Sequence, residues 1–228
     1  VPTTASVSEI QADFDEIAAL SPIARSLSAT DEWIVHNLPE QRRALLEIGC
    51  GVGDLARRVA PHFERTDAID LSPGMIAEAR RRTPPETKIE FSCVDMFEWL
   101  RERPESYDCI VTVTTLHHVD LAAALRAMAR SLAPGGRLLV VDLDDRSGAQ
   151  HFLPNALAHA LSAIRLAAAL LQRRSSLRLR LAYRRHGRNE TYLPLDEVRR
   201  VAAATIPGAL VGRTMFWRYT LLWDKPRR

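Results

Sequence analysis

Leu45-Leu46-Glu47-Ile48-Gly49-Cys50-Gly51-Val52-Gly53 decides how this chain folds. An unbroken apolar run that gives way to three alternate glycines reads as a buried strand ending in a tight turn. Main chain without Cβ takes positive φ and lets a ligand lie directly against it. Asp54-Leu55-Ala56-Arg57-Arg58-Val59-Ala60 follows with apolar residues at helical spacing, so the turn feeds a helix N-terminus. About twenty residues past the turn, Ala68-Ile69-Asp70 ends a second apolar strand on a carboxylate, which can accept both hydroxyl hydrogens of a ribose.

The spacing discriminates between nucleoside cofactors. A dinucleotide fingerprint wants G-x-G-x-x-G, with its third glycine against the diphosphate. That position is Asp54 here, with no clear compensating arginine on the strand side, and a carboxylate repels a diphosphate. The E-x-G-x-G-x-G pattern instead closely resembles motif I of the class I S-adenosylmethionine-dependent methyltransferases. Their cofactor carries a cationic sulfonium and ammonium, beside which Glu47 and Asp54 are tolerable.

Three further stretches resemble that family, in its order. Ile89-Glu90-Phe91-Ser92-Cys93-Val94-Asp95-Met96 is similar to the third strand and the acidic loop that holds adenine, with Asp95 placed to accept from the exocyclic amine. Tyr107 to His118, ending Thr114-Thr115-Leu116-His117-His118, is similar to the fourth strand and its following loop. Ser131-Leu132-Ala133-Pro134-Gly135-Gly136 resembles the L-x-P-G-G turn into strand five. Taken singly, Asp95 could equally cap a helix and the Pro-Gly-Gly triplet simply stop one. The resemblance implies S-adenosyl-L-methionine as cofactor and a contact set of Glu47, Gly49, Cys50, Gly51, Gly53, Asp70, Leu71, Met75, Asp95, Met96 and Val113, with no metal. Core filling explains Met75 equally well.

Bulk composition fits one α/β domain: 228 residues, 46% hydrophobic, with 31 basic against 28 acidic residues for a formal charge of +3. That small excess gives no mandate for nucleic acid. Cys50, Cys93 and Cys109 lack metal-ligand spacing and suit reduced thiols. The first twenty residues hold no lysine or arginine and no long apolar run, which gives a cytoplasmic expectation.

Strands are expected near 44–49, 66–70, 88–93, 107–112 and 137–142, and helices near 54–62, 73–82, 96–101 and 120–132. Such alternation makes a Rossmann-like, doubly wound, mostly parallel sheet. Ser72-Pro73 caps and starts the second of these helices. Within a single domain over 1–228, residues 1–40 form an N-terminal helical cap, 41–144 the cofactor-binding core, 145–193 a helical lid inserted after strand five, and 194–228 a last helix and a terminal antiparallel hairpin that completes seven strands. Phe14-Asp15-Glu16-Ile17-Ala18 resembles the F-D-x-I-A opening of the family's quinone-biosynthesis branch, in which the first helix packs over the cofactor; the branch's Tyr-Asp pair is absent.

The insertion carries amphipathic spacing from Phe152 to Leu171, then Leu177-Arg178-Leu179-Arg180-Leu181 and Arg184-Arg185-His186-Gly187-Arg188. A solvated helix face, a lid over an acidic or lipophilic acceptor, and a membrane or nucleic-acid surface all fit this basic patch. Nucleic acid is disfavoured, since only Tyr183 offers a ring for stacking and the D/N-P-P-Y/F loop of base-amine methyltransferases is replaced by Thr112-Val113-Thr114-Thr115. Peripheral membrane contact stays open, as does oligomeric state.

Methyl transfer from a sulfonium mainly requires alignment, plus a base where the acceptor is a phenol, hydroxyl or acidic carbon. His118, and after it His117, are the candidate bases, because they follow strand four at the edge where doubly wound sheets place ligands. Their alternative is an architectural role. Asp142, Asp144, His151 and Tyr183 stand behind them. The expected activity is O- or C-methylation of a small aromatic or polyketide-like acceptor. The alternatives are a non-methylating reaction such as cyclisation, a lipid or quinone methyltransferase at a membrane surface, and, more remotely, a nicotinamide oxidoreductase.

Overall fold

The computed structural model describes residues 7–21, 28–145, 192–214 and 217–227. Its centre is β1 (Ala44–Ile48), buried along its whole length and flanked in parallel by β2 (Arg65–Asp70) and β4 (Tyr107–Val113). β3 (Ile89–Cys93) extends the sheet beyond β2, and β5 (Leu132–Leu143) extends it beyond β4, both parallel. β7 (Arg218–Asp224) then pairs antiparallel with β5 and β6 (Leu210–Arg213) antiparallel with β7. The order β3-β2-β1-β4-β5-β7-β6 gives the seven strands and the terminal antiparallel pair that the sequence pattern implies. Strand order reverses between β1 and β4. Their carboxyl ends therefore diverge into a crevice, the place where open α/β sheets take ligands.

Helices cover both faces, because strand residues alternate between them. Leu46, Ile48, Ile110, Leu138 and Val140 pack with α5 (Met96–Arg101), α6 (Leu121–Ser131) and α7 (Leu195–Thr205). Leu45, Cys109, Val111, Leu139 and Val141 face α2 (Ala29–His36) and α3 (Asp54–Val59). Two-sided burial is why β1, β4 and β5 read as continuous apolar runs rather than as alternating ones.

β5 begins earlier than the expected 137. Leu132 already pairs with Tyr107 while Arg137 pairs with Cys109, so β5 spends five residues where β4 advances two and Pro134-Gly135-Gly136 sits within the strand as an irregularity. At the amino end of β4, the Asp108 carboxylate accepts from the main-chain N–H groups of Arg43 (2.8 Å) and Ala44 (3.1 Å) and from Arg43 Nη2 (2.9 Å). Burial pushes this carboxyl up, but the Arg43 guanidinium and the two N–H groups outweigh it and hold it below its ordinary value. The start of β1 is thereby pinned to β4.

α1 (Val7–Leu20) lies against α4 (Pro73–Arg82), with Ile17 and Ala18 buried beside Met75. Asp15 makes the joint specific. Its Oδ1 accepts from Ser72 Oγ at 2.5 Å and from Gly74 N–H at 2.9 Å, while Ser72 Oγ accepts from Met75 N–H at 3.0 Å as the cap of α4. One helix thus supplies an anion to the positive end of another. The expected lid over 145–193, with His151, Tyr183 and the arginine-rich patch, lies outside the described residues apart from 145, 192 and 193. Among the described residues no helix is long and apolar enough to cross a membrane, and no group of His, Cys, Asp or Glu could hold a metal ion.

Candidate active site

The turn after β1 carries Gly49, Gly51 and Gly53, all at positive φ. Gly49 (φ +71°) has the least room, since a Cβ there would lie 2.1 Å from Thr115 Oγ1 and 2.8 Å from Thr115 Cγ2. At Gly53 (φ +75°) a Cβ would meet the Phe91 ring at 2.9 Å. The turn after β4 is therefore docked onto the turn after β1 through Thr115 against a bare glycine. Thr115 Oγ1 donates to the Val113 carbonyl at 3.1 Å, and Thr114, at φ 55° without being a glycine, donates its N–H to the Val141 carbonyl at 2.8 Å.

Asp70 ends β2 beneath this turn. Oδ2 accepts from Gly51 N–H at 2.8 Å and Oδ1 from Ser72 N–H at 2.9 Å. A carboxylate has about four lone-pair sites, so the two hydroxyls of a ribose can still be accommodated. Burial raises the Asp70 carboxyl despite the main-chain N–H groups that pull it down. Glu47, one residue before the end of β1, is 3% exposed, and its Oε2 has no hydrogen-bond partner among the described residues. Burial first, and Asp70 second, push this carboxyl well above its ordinary range. An orphaned buried carboxyl oxygen beside a glycine cradle and a carboxylate-ended strand fits a ligand with a ribose and a positive charge. S-adenosylmethionine has both. Glu47, Asp70 and the main chain of Gly49–Gly53 are the residues that would hold it.

The other expected contacts divide. Met75 is buried against α1, and its Sδ lies 3.9 Å from where a Cβ on Gly51 would be, so it fills the core while bordering the turn. The Cys50 thiol is buried among Ala56, Ala68, Ile76, Ala79 and Phe91. Leu71 offers its carbonyl to Gln11 Nε2 at 2.9 Å. Asp95 caps α5, both bonds falling on Oδ1, from Phe97 N–H (2.8 Å) and Glu98 N–H (3.1 Å). The Met96 side chain belongs to the main core, and Val113 is half-buried at the end of β4. Asp54 requires a correction: it is ion-paired with Arg57 one helical turn on, and Arg57 Nη1 also donates to the Val52 carbonyl at 2.9 Å. Its charge is compensated locally, so Asp54 argues less against a diphosphate than its position suggested.

The two histidines sit differently. His117 Nδ1 is 2.6 Å from Asp142 Oδ1, and its main-chain N–H donates to Asp142 Oδ2 at 3.0 Å. Asp142, 1% exposed near the carboxyl end of β5, also accepts from Leu143 N–H at 2.7 Å. This buried carboxylate holds His117 at both its ring and its main chain. Arg218 of β7 adds a positive charge nearby; burial lowers its guanidinium, while Asp142 and Asp31 hold it up. The His118 ring contacts Phe14 of α1 edge-on (centroids 5.9 Å) and His117 at 4.1 Å, and Tyr192 packs on His117 at 5.3 Å. The sequence pattern ranks His118 ahead of His117, and of the two it is His117 that is bonded to the Asp142 carboxylate. Asp144 is buried too, with Arg213 Nε 3.7 Å from its Oδ2. Sequence reasoning passed over Thr115, Arg57, Asp15 and Tyr192. Only two of them had a local signal: the i,i+3 spacing of Asp54 and Arg57, and the F-D-x-I-A motif around Asp15.

A family described as a methyltransferase domain matches residues 45–136, from β1 into β5. The ubiquinone biosynthesis O-methyltransferase of Xylella fastidiosa is 33% identical over 111 residues, 48% of this chain and 45% of that one. The S-adenosyl-L-methionine-dependent Diels-Alderase of Talaromyces variabilis is 34% identical over 139 residues, 57% of this chain and 46% of that one. The chain thus spans about half the length of these curated relatives. Among solved structures, the N-methyltransferase NodS of Bradyrhizobium japonicum WM9, in complex with S-adenosyl-L-homocysteine, superposes with a TM-score of 0.54 at 17% identity, covering 96% of this chain and 87% of that one. That likeness is one of fold.

Proposed function

We propose, from the premise that this chain belongs to the class I S-adenosylmethionine-dependent methyltransferases, that it methylates oxygen or an acidic carbon of a small aromatic or polyketide-like acceptor. The observation that carries this reading is the His117–Asp142 pair, set on a turn that Thr115 docks against the glycine cradle. S-adenosylmethionine supplies an electrophilic methyl group on a sulfonium leaving group. With the Nδ1 proton directed to Asp142, Nε2 of His117 carries the lone pair. A phenolic hydroxyl or the C–H of a β-dicarbonyl gives its proton to that nitrogen, and the buried Asp142 carboxylate stabilises the imidazolium that results. Phe14, His118 and Tyr192 add rings around this base, which suits a planar acceptor.

A second reading is favoured by the Diels-Alderase relative: the bound sulfonium acts as a fixed charge while the acceptor cyclises without gaining a methyl group. Mass spectrometry separates the two. Incubation with trideuteriomethyl-labelled S-adenosylmethionine and a panel of phenols and β-dicarbonyls is expected to give a product with one trideuteriomethyl in place of hydrogen, together with S-adenosylhomocysteine. A rearranged product of unchanged formula favours the cyclising reading, and recovery of every acceptor unchanged contradicts this acceptor class.

A further inference from the structure

Glu47 is a poor place for a resident negative charge. It lies in the central strand between Ala68 of β2 and Val111 of β4, out of contact with water, and its Oε2 meets no donor among the described residues. Among the described residues, the charged and titratable groups around it are Asp70 from β2, Asp31 from α2, Asp54 and Arg57 from α3, and the Cys50 thiol of the turn. Three of these are carboxylates. The one cation, Arg57, is already engaged by Asp54, by the Val52 carbonyl and by Thr83 Oγ1 at 3.2 Å. Among the described residues the offsetting charge is Arg57, already shared among these three acceptors, so burial and the neighbouring carboxylates favour the protonated carboxyl of Glu47. A cationic ligand on the adjoining glycine cradle reverses the balance, because a positive charge within a few ångströms favours the carboxylate.

We propose that uptake of the cationic cofactor is coupled to loss of a proton from Glu47, which passes from the side-chain carboxyl to solvent as the positive charge arrives. This rests on the reading of the glycine turn as the cofactor site. The sign follows from linkage: the empty form holds the proton and the bound form does not, so affinity rises with pH by about tenfold per unit. The rise stops at the pH where Glu47 of the empty protein is itself ionised. Glu47 is then the group that senses the charge of the methyl donor, and it responds less to the product, which keeps the ammonium but has lost the sulfonium charge.

Calorimetric titration of the whole chain with S-adenosylmethionine, at one near-neutral pH in two buffers of different ionisation enthalpy, counts the protons released. The expected result is release of about one proton per cofactor bound, a smaller release with S-adenosylhomocysteine, and loss of the Glu47 contribution in Glu47→Gln. Glutamine has the shape and charge of the protonated acid, so this variant preserves the empty fold. Any proton taken up by the cofactor's own amine persists in Glu47→Gln and is subtracted by the comparison. Wild type that binds with the same enthalpy in both buffers overturns the coupling and leaves the cofactor site standing. Equal release from wild type and Glu47→Gln also overturns it, moving the proton to another group such as Asp70. Failure of the wild type to bind either compound overturns the cofactor site, and the coupling with it.

Discussion

Replacement of His117 by alanine is expected to lower kcat by about 10²–10⁴-fold, the usual contribution of a positioned general base, or about 2.7–5.4 kcal/mol of barrier. The affinity for S-adenosylhomocysteine should stay unchanged. The split follows from the geometry: His117 stands on the turn after β4, whereas the cofactor contacts are assigned to the glycine turn and the end of β2. A base also leaves a mark on the pH profile, since turnover falls on the acid side as it becomes protonated, and that limb should flatten in His117→Ala. Asp142→Asn keeps the shape but removes the charge that selects the Nδ1-protonated tautomer, so most of the loss should recur. His118→Ala, whose ring packs on Phe14 and His117, should mainly raise KM. An undiminished kcat in His117→Ala, with a large loss in His118→Ala, would return the base to His118.

Gly49→Ala is expected to abolish measurable cofactor binding and to destabilise the fold. The substitution has two faults. Alanine at φ +71° is strained by about 1–2 kcal/mol, and its Cβ arrives 2.1 Å from Thr115 Oγ1, far inside contact distance. One of the two turns must move, and they are the two that make the crevice. Thr115→Ala in the same chain leaves a tight 3.0 Å approach to the Thr115 Cβ, so the double variant should recover part of the lost binding and stability, with the φ strain persisting. Recovery marks the pair as coupled. Strict additivity of the two changes, read by denaturant midpoint and by cofactor affinity, would show that the two turns do not bear on one another.

The pieces that were legible in the sequence are those built from local pattern. The apolar run of β1, the glycine triplet and the Ser72-Pro73 start of α4 each lie within a dozen residues, and each element of the alternation from β1 to α6 is itself such a local pattern, placed to within a few positions except the start of β5. Pro134-Gly135-Gly136 signals a turn and so a later start, whereas Leu132 already pairs with Tyr107 ahead of it. The His117–Asp142 pair is harder to read for a different reason. His117 and Asp142 are 25 positions apart, on two strand ends that the parallel β4–β5 pairing brings together. The sequence places both residues at the carboxyl edge of the sheet but has no means of pairing them, and it ranks the neighbouring histidine first. Asp54 is the opposite case: its partner Arg57 lies three residues on along the same helix, so a carboxylate that looks bare in the glycine pattern is neutralised locally. Asp15 lies in a motif noticed for its likeness to a family opening. Its task of capping α4 through Ser72 and Gly74 appears only once α1 is docked.

The central claim is that the edge between the glycine turn and Asp70 holds S-adenosylmethionine. Equilibrium dialysis of labelled S-adenosylmethionine against wild type and Asp70→Ala, with the fold of each checked by circular dichroism, tests it most directly. Wild type is expected to bind saturably at one site per chain. Loss of the hydrogen bonds to a charged acceptor should weaken Asp70→Ala by about 1.5–3 kcal/mol, at least about tenfold in Kd. Wild type that binds no cofactor, or a folded Asp70→Ala that binds as tightly as wild type, would contradict it.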